Sequence, residues 1–266
     1  MDHSPRWVEE LRKARQGKLI GREILFSTEV DSTNRVAHDR ALAGAGEGVV
    51  LAADWQSQGK GRLGRVWESP AGVNLYFSII LRPPVSPAVA PQITLLAGVA
   101  GANALVRATG LDSRIKWPND IYIHGRKVAG ILSEMKAEGC RTHFIILGVG
   151  VNVNWQREDV PPYLGEVATS LRAEGGREFS RALVAGEIFE ELEREYALFL
   201  QEGFSVRLRE EWNRLSWINR KWATVTMMEK KYEGEVLGLD ADGALLLMDR
   251  EGKIQRFLAG DVSLRI

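Results

Sequence analysis

Cysteine is nearly missing from this chain: Cys140 is the single one among 266 residues. An internal disulfide is therefore excluded, and so is a cysteine-rich zinc site. Histidine is also scarce. His3, His38, His124 and His143 are scattered, and no two have the helical spacing of a metal-ligand pair. Net charge is absent as well, with 35 Lys+Arg against 35 Asp+Glu. A protein that coats nucleic acid carries a basic excess, so any anion site here must be a local cluster of charge. No long apolar run occurs. The most apolar stretch, residues 88–106, is interrupted by Pro91, Gln92, Thr94, Gly98 and Asn103, and reads as a buried helix rather than a membrane span. The first seventeen residues are charged and lack the apolar segment of a secretory signal, which points to a reducing cytoplasm.

What is present is enough apolar side chain, 45% of residues, to build a core of native size. Trp7, Val8, Leu11 and Ala14 predict a short amphipathic helix. A strand follows over 24–30 and runs into the cap-rich Asp31-Ser32-Thr33-Asn34, which opens a helix over 35–42. Further strands are expected at 49–55, 74–81, 114–117, 121–123, 127–135 and 144–153, with a long helix over 179–199. The last fifty residues change character. Short strands at 222–228, 232–239, 244–248 and 254–258 are separated by Ala241-Asp242-Gly243 and Glu251-Gly252 at hairpin spacing, as in a small barrel. The expected units are an N-terminal helical extension over 1–22, a large domain over 23–216 and a small C-terminal domain over 217–266.

The chemistry concentrates in Gln56-Ser57-Gln58-Gly59-Lys60-Gly61-Arg62-Leu63-Gly64-Arg65. Residues 59–64 satisfy G-x-G-x-x-G, but a dinucleotide site needs a following helix to receive the pyrophosphate. Here Val66-Trp67-Glu68-Ser69-Pro70 leads into a strand instead, so the match is accidental. No Gly-Lys-[Ser/Thr] triplet marks a P-loop. The loop still suits an anion: glycines let backbone N–H groups converge, and Lys60, Arg62 and Arg65 add three cations. Taken alone, such a loop is as readily a solvated basic turn. A second segment, Lys116-Trp117-Pro118-Asn119-Asp120, is followed by Lys127-Val128-Ala129-Gly130-Ile131-Leu132. Gly130 permits close approach of a ligand, and Lys127 is placed to neutralise an anion. Alone, a lysine at a strand start is more often a surface residue.

Six motifs in order, Asp31-Ser32-Thr33-Asn34, the 56–65 loop with Trp67, Asn74-Leu75-Tyr76, Lys116 to Asp120, Lys127 with Gly130-Ile131-Leu132, and Gly148-Val149-Gly150-Val151-Asn152, resemble those of the biotin protein ligases. The resemblance runs from about Ile24 to Arg265. It implies an α+β fold: a mixed-sheet, class II synthetase-like catalytic domain with a small C-terminal SH3-like β-barrel. It also implies activation of biotin with ATP to biotinyl-5′-AMP, with Mg²⁺ on the phosphates. Transfer then follows to a lysine on the biotin carboxyl carrier domain of a biotin-dependent carboxylase.

By the same resemblance, Ser32, Thr33, Asn34 and Gln56 contact biotin, with Lys60, Gly61, Arg62, Lys127 and Gly130 near its carboxylate. Lys127 and Arg62 are the catalytic cations. Arg62, Arg65, Trp67, Asn119, Asn152 and Arg265 lie on the nucleotide side, and Asp120 is a candidate partner for the acceptor amine. Lys60 stands where some members have arginine, and Leu63 where others have a basic residue. Lysine keeps the charge but loses the planar fork, which loosens phosphate geometry.

Three rival readings follow. A lipoate or octanoate ligase shares the fold but needs a long apolar tunnel, whereas Ser32, Thr33, Asn34 and Gln56 are polar. Some relatives carry an N-terminal helix-turn-helix, yet about twenty-three residues before the first strand are too few for three packed helices, so no nucleic-acid partner is expected. A pure binding module would need an aromatic-lined groove in the C-terminal unit, and Tyr232 and Phe257 read as core or edge. The sequence leaves open whether two copies pair.

Overall fold

The computed structural model describes residues 4–14 and 17–264. Arg265, expected on the nucleotide side, lies outside the described residues. The order is α1 (Arg6–Ala14), β1 (Ile24–Val30), α2 (Thr33–Leu42), β2 (Val50–Gln56), β3 (Leu75–Leu81), α3 (Gln92–Thr109), β4 (Ser113–Lys116), β5 (Asp120–Ile123), β6 (Arg126–Glu138) and β7 (Arg141–Val151). Then come α4 (Leu171–Gly175), α5 (Arg181–Glu202), α6 (Val206–Leu215), β8 (Trp222–Met227), β9 (Lys230–Leu239), β10 (Leu245–Met248), β11 (Ile254–Phe257) and β12 (Asp261–Leu264). The first seven strands form one mixed sheet, ordered β1-β2-β3-β7-β6-β5-β4. β1 and β2 are parallel, joined through α2, and the remaining pairs are antiparallel. The last five strands form a separate antiparallel sheet, ordered β11-β10-β9-β8-β12, which is the C-terminal unit of the expected fold.

Strand alternation explains how this sheet makes a site. Successive side chains point to opposite faces. On one face Phe77, Ile79, Ile145, Leu147, Val149 and Val151 pack against α3 and α5, forming the main core with Trp212 of α6. On the other face Leu51, Ile80, Phe144 and Ile146 meet Ala37 and Ala41 of α2 in a smaller core. Along β7 that second face reads Phe144, Ile146, Gly148, Gly150: large residues under α2, then glycines where α2 ends. The uncovered part of this face is the floor of a cleft.

The boundaries follow local rules. Gly110 closes α3 in the left-handed conformation, φ +77°, with its N–H on Val106 O. Ser180 and Ser205 cap α5 and α6 by accepting from Leu183 N and Leu208 N. Several expected bounds shift, among them the start of the helix expected over 88–106, which begins at Gln92. The long helix begins at Arg181 rather than 179, because Ser180 is its cap. The helix after Ser32 begins at Thr33, two residues before the expected start. Helices α4 and α6 and strand β12 have no counterpart among the expected elements.

Candidate active site

A cleft of about 570 Å³ lies over the open part of the sheet, a volume in the usual range for small-molecule sites. Ser32, Thr33, Asn34, Gln56, Lys60, Gly61, Arg62, Arg65, Trp67, Asn119, Lys127, Gly130 and Asn152 all line it. Residues far apart in the chain are thus brought to one place.

One end is neutral. Thr33 N and its hydroxyl both donate to Gln56 Oε1, at 2.9 and 3.2 Å, while Gln56 Nε2 donates to Ser69 Oγ at 3.0 Å. These partners fix which way the Gln56 amide points. Ser78 Oγ lies 2.8 Å from Thr33 Oγ1 and 2.7 Å from Asn34 Oδ1, so its one proton serves one of two acceptors. Asn34 Nδ2 donates to Glu134 Oε2 at 2.6 Å and to Leu132 O at 3.3 Å. Both Nδ2 protons of Asn34 are therefore engaged inside the protein and its oxygen faces Ser78, which makes the amide a support for the cleft wall. It fits because position 148 is glycine: a Cβ there would collide with Asn34 Oδ1.

The other end is charged and joins the two sheets. Arg62 donates to Asn119 Oδ1 at 3.3 Å, Asp261 Oδ1 at 3.4 Å and Gly260 O at 3.2 Å. Arg65 pairs with the other Asp261 oxygen. The basic loop is thus tied to β12 of the C-terminal sheet. It makes one 3₁₀ turn over Arg62–Gly64, returns through a bridge between Lys60 and Val66, and enters no helix. The rejection of a dinucleotide fingerprint agrees with that geometry.

Lys127 stands between the two ends. Its Nζ lies 2.6 Å from Asp120 Oδ1 and 5.1 Å from the Trp67 ring centroid. Its backbone is fixed on the outside by Lys127 N to Val167 O, 2.9 Å, and Thr169 N to Lys127 O, 2.8 Å. Asn119 Nδ2 donates to Ile131 O at 2.7 Å and Ile131 N donates to Asn119 O at 2.9 Å, locking the 117–119 turn onto β6. The glycine at 130 does permit a close approach, but in this structure Trp67 makes it. A Cβ at Gly130 would fall 2.9 Å from the indole, and one at Gly150 2.6 Å from it. Two glycines paired across β6 and β7 form the flat seat that an indole face needs.

The remaining walls differ in character. Trp155, Leu164, Val167 and Ala168 are apolar, with the buried Asn152 beside them. Asn152 Nδ2 donates to Thr169 O at 2.9 Å, whereas its Oδ1 is buried without a hydrogen-bond partner among the described residues. Opposite, Lys116 donates to Tyr122 Oη at 3.2 Å. Burial pushes the Lys116 pKa down while the Asp120 charge pulls it back up. Burial also pushes the Tyr122 phenol well above its ordinary value, so it stays protonated.

Sequence reasoning missed Ser78, Glu134, Tyr122 and Asp261. Ser78 had a signal: it is the one polar residue in the strand Leu75–Leu81, whose other positions are all apolar and which is buried throughout. Asp261 had none, since it meets Arg62 across 199 positions of sequence.

The comparisons with known proteins follow this geometry. Residues 26–152 match the Biotin/lipoate A/B protein ligase family, and residues 224–265 match the Biotin protein ligase C terminal domain. The bifunctional ligase/repressor BirA of Bacillus subtilis is 36% identical over 260 residues, covering 96% of this chain and 78% of its own length. The biotin–[acetyl-CoA-carboxylase] ligase of Mycobacterium tuberculosis is 35% identical over 177 residues, 65% of this chain and 63% of that one. The biotin protein ligase from Aquifex aeolicus, solved in complex with biotin and ATP, superposes with a TM-score of 0.79 at 29% identity, covering 92% of this chain and 99% of that one. Fold and relatives agree, and the chain belongs to the biotin protein ligases of the biotin/lipoate A/B protein ligase family.

Proposed function

We propose that the two ends of this cleft divide the work of protein biotinylation. As a biotin protein ligase the chain activates biotin with ATP and transfers it to a lysine of a carrier protein. The neutral end, with Ser32, Thr33 and Gln56 backed by Asn34, receives the ureido ring, a compact group with both donors and acceptors. The biotin carboxylate then points along the floor toward Lys127. The adenine lies against Trp155, Leu164, Val167 and Trp67, with the unpaired Asn152 oxygen accepting from its exocyclic amine. This leaves the phosphates to the wall that carries Arg62, Arg65 and Asn119.

In the first half-reaction a carboxylate oxygen attacks the α-phosphorus, and the bond to the β-phosphate oxygen breaks to release pyrophosphate. Two anions must approach, and at 4 Å their repulsion near a protein surface is about 4 kcal/mol. Lys127 and Arg62 offset it, and their aim is set in advance by neighbouring groups. Asp120 holds the Lys127 ammonium in place until substrate oxygens share it. Mg²⁺ arrives on the phosphates as part of the substrate. Among the described residues no cluster of three His, Cys, Asp or Glu is arranged to hold a metal of its own. In the second half-reaction a neutral lysine amine of the carrier attacks the carbonyl carbon, and AMP leaves with the bonding electrons. The acceptor is a biotin carboxyl carrier domain. A formal net charge of zero gives no support to a nucleic-acid partner.

The observation that carries this reading is Lys127 itself, held by Asp120 between a neutral pocket and a cationic wall. Incubation of the chain with biotin, ATP and a carrier domain tests it: biotin on one carrier lysine is expected, and an unmodified carrier would overturn it.

A further inference from the structure

We propose that Glu174 is a positioning residue for activation, an inference that rests on the reading above: its buried carboxylate clamps the wall segment 167–169 to β6 and so sets the places of Lys127 and Asn152. None of Glu174, His124, Arg126 and Thr169 lines the cleft. Glu174 lies on α4, with its side chain 5% exposed. Three side chains from two other segments meet it. Arg126 Nη2 lies 2.5 Å from Oε1, and the Thr169 hydroxyl donates to the same oxygen. His124 Nδ1 lies 2.6 Å from Oε2. His124 and Gly125 both take the left-handed conformation, φ +48° and +80°, as a two-residue turn between β5 and β6 requires, and that turn presents the imidazole to α4. Burial pushes the Glu174 pKa up, but the Thr169 and His124 hydrogen bonds and the Arg126 charge outweigh it and hold the group below its ordinary value. An ionised carboxylate only accepts, so all three partners donate.

What the clamp holds is the edge of the cleft. Beyond Val153 the chain leaves the sheet, and its regular structure before α4 is two short 3₁₀ turns, Arg157–Asp159 and Pro162–Leu164. It returns to β6 at one bridge, where Lys127 N donates to Val167 O and Thr169 N donates to Lys127 O. The Thr169 carbonyl accepts from Asn152 Nδ2 at 2.9 Å. Thr169 therefore touches Lys127 and Asn152 through its backbone and Glu174 through its side chain. A buried carboxylate is costly to desolvate, and an apolar side chain would pack α4 without that cost. The charge adds a directed hold on two groups: a hydroxyl one residue beyond the wall, and the arginine one residue before Lys127. Asn152 on the base side and Lys127 at the acid are thus kept in one fixed relation, which the in-line approach of two bound substrates requires.

The test measures initial rates of pyrophosphate release from biotin and ATP by the full chain with Glu174→Gln, Thr169→Val, Thr169→Ser and the double variant Glu174→Gln/Thr169→Val. Valine keeps the shape of threonine without the hydroxyl, and serine keeps the hydroxyl without the methyl. Glu174→Gln and Thr169→Val are each expected to lower kcat roughly fivefold to fiftyfold and to raise KM for ATP, with KM for biotin within about twofold of wild type. Thr169→Ser stays close to wild type. The double variant loses no more than the worse single one, because both changes break one contact. Glu195→Gln removes a buried carboxylate held by Arg194 and Arg207 on α5, across the sheet from the cleft. As the comparator, it lowers the melting temperature and leaves KM for ATP unchanged. Wild-type kcat and KM for ATP in folded Glu174→Gln and Thr169→Val would overturn the proposal. So would a loss in Thr169→Ser equal to that in Thr169→Val, or a matching rise in KM for ATP in Glu195→Gln. Should Glu174→Gln fail to fold, the valine and serine pair decides. A wild-type chain that releases no pyrophosphate at all would remove the underlying function first.

Discussion

The two ends of the cleft are built by opposite means. The neutral end is a set of short hydrogen bonds between uncharged side chains of the sheet, α2 and the segment that carries Ser69: Thr33 to Gln56, Gln56 to Ser69, Ser78 between Thr33 and Asn34, with the Glu134 carboxylate behind Asn34. The charged end is a set of ion pairs whose members come from different units, Arg62 and Arg65 from the loop and Asp261 from the C-terminal sheet. A buried neutral network costs little when fully satisfied and gives a fixed shape. Paired charges near the surface are worth less each and are readily exchanged for a ligand's charges. On the assignment proposed above, the difference teaches that recognition of the acid is pre-formed, whereas the phosphate side trades protein carboxylates for substrate oxygens.

The largest effect that sharpens this comparison is Lys127→Ala. We expect pyrophosphate release from biotin and ATP to fall by at least about a hundredfold while the melting temperature stays close to wild type, because the half-exposed ammonium contributes chemistry rather than packing. Near-normal release would show that the charged end works without it. Next is Gly148→Ala, in which the new methyl meets the Asn34 amide in a closed network. Overpacking of this kind costs about 1–3 kcal/mol. A lower denaturation midpoint and weaker biotin binding, with KM for ATP little changed, are expected. If the fold were unaffected, the neutral end would be softer than its hydrogen bonds imply.

Asn34→Ala removes one of the two acceptors of Ser78 and the donor to Glu134; Ser78 keeps Thr33 Oγ1, so the cost is the smaller one of an ordinary lost hydrogen bond, about 0.5–1.5 kcal/mol. Its expected mark is a raised KM for biotin with kcat nearly preserved, measured by initial rates. The smallest effect is that of salt. Exposed charges are screened over about 8–10 Å at physiological ionic strength, so KM for ATP should climb as salt is raised while KM for biotin stays nearly level. Parallel climbs in both would erase the distinction between the ends.

Much of this architecture was legible in the chain. Apolar runs between turn residues placed the strands, and Gly130 was legible as a point of close approach; that the glycines at 130, 148 and 150 make one floor shows only in the fold. Glycine at 148 is required by Asn34 and glycine at 150 by Trp67, neither of which is a local requirement. The basic loop was legible as an anion site, but its latch was not. Asp261 sits on a four-residue strand with one buried residue, Val262, too short to carry a periodic signal. Likewise α6 has a strong polar face and only Leu208, Trp212 and Leu215 turned inward, so its pattern is thin without knowledge of α3 beside it. Glu134 lies on the exposed half of β6 and looks like an ordinary solvated carboxylate until Asn34 is seen against it. What stayed hidden in each case is a contact between distant segments.

The central claim, that a pre-formed neutral pocket selects the acid which Lys127 then activates, is tested most directly by comparing acids. Pyrophosphate release by the wild-type chain with ATP should be measured with biotin, lipoate or octanoate as the only acid. Release with biotin alone is the predicted result. Release with lipoate or octanoate at a matching rate would contradict the account, because an apolar chain has no use for the hydrogen-bonded wall of Thr33, Asn34, Gln56 and Ser78.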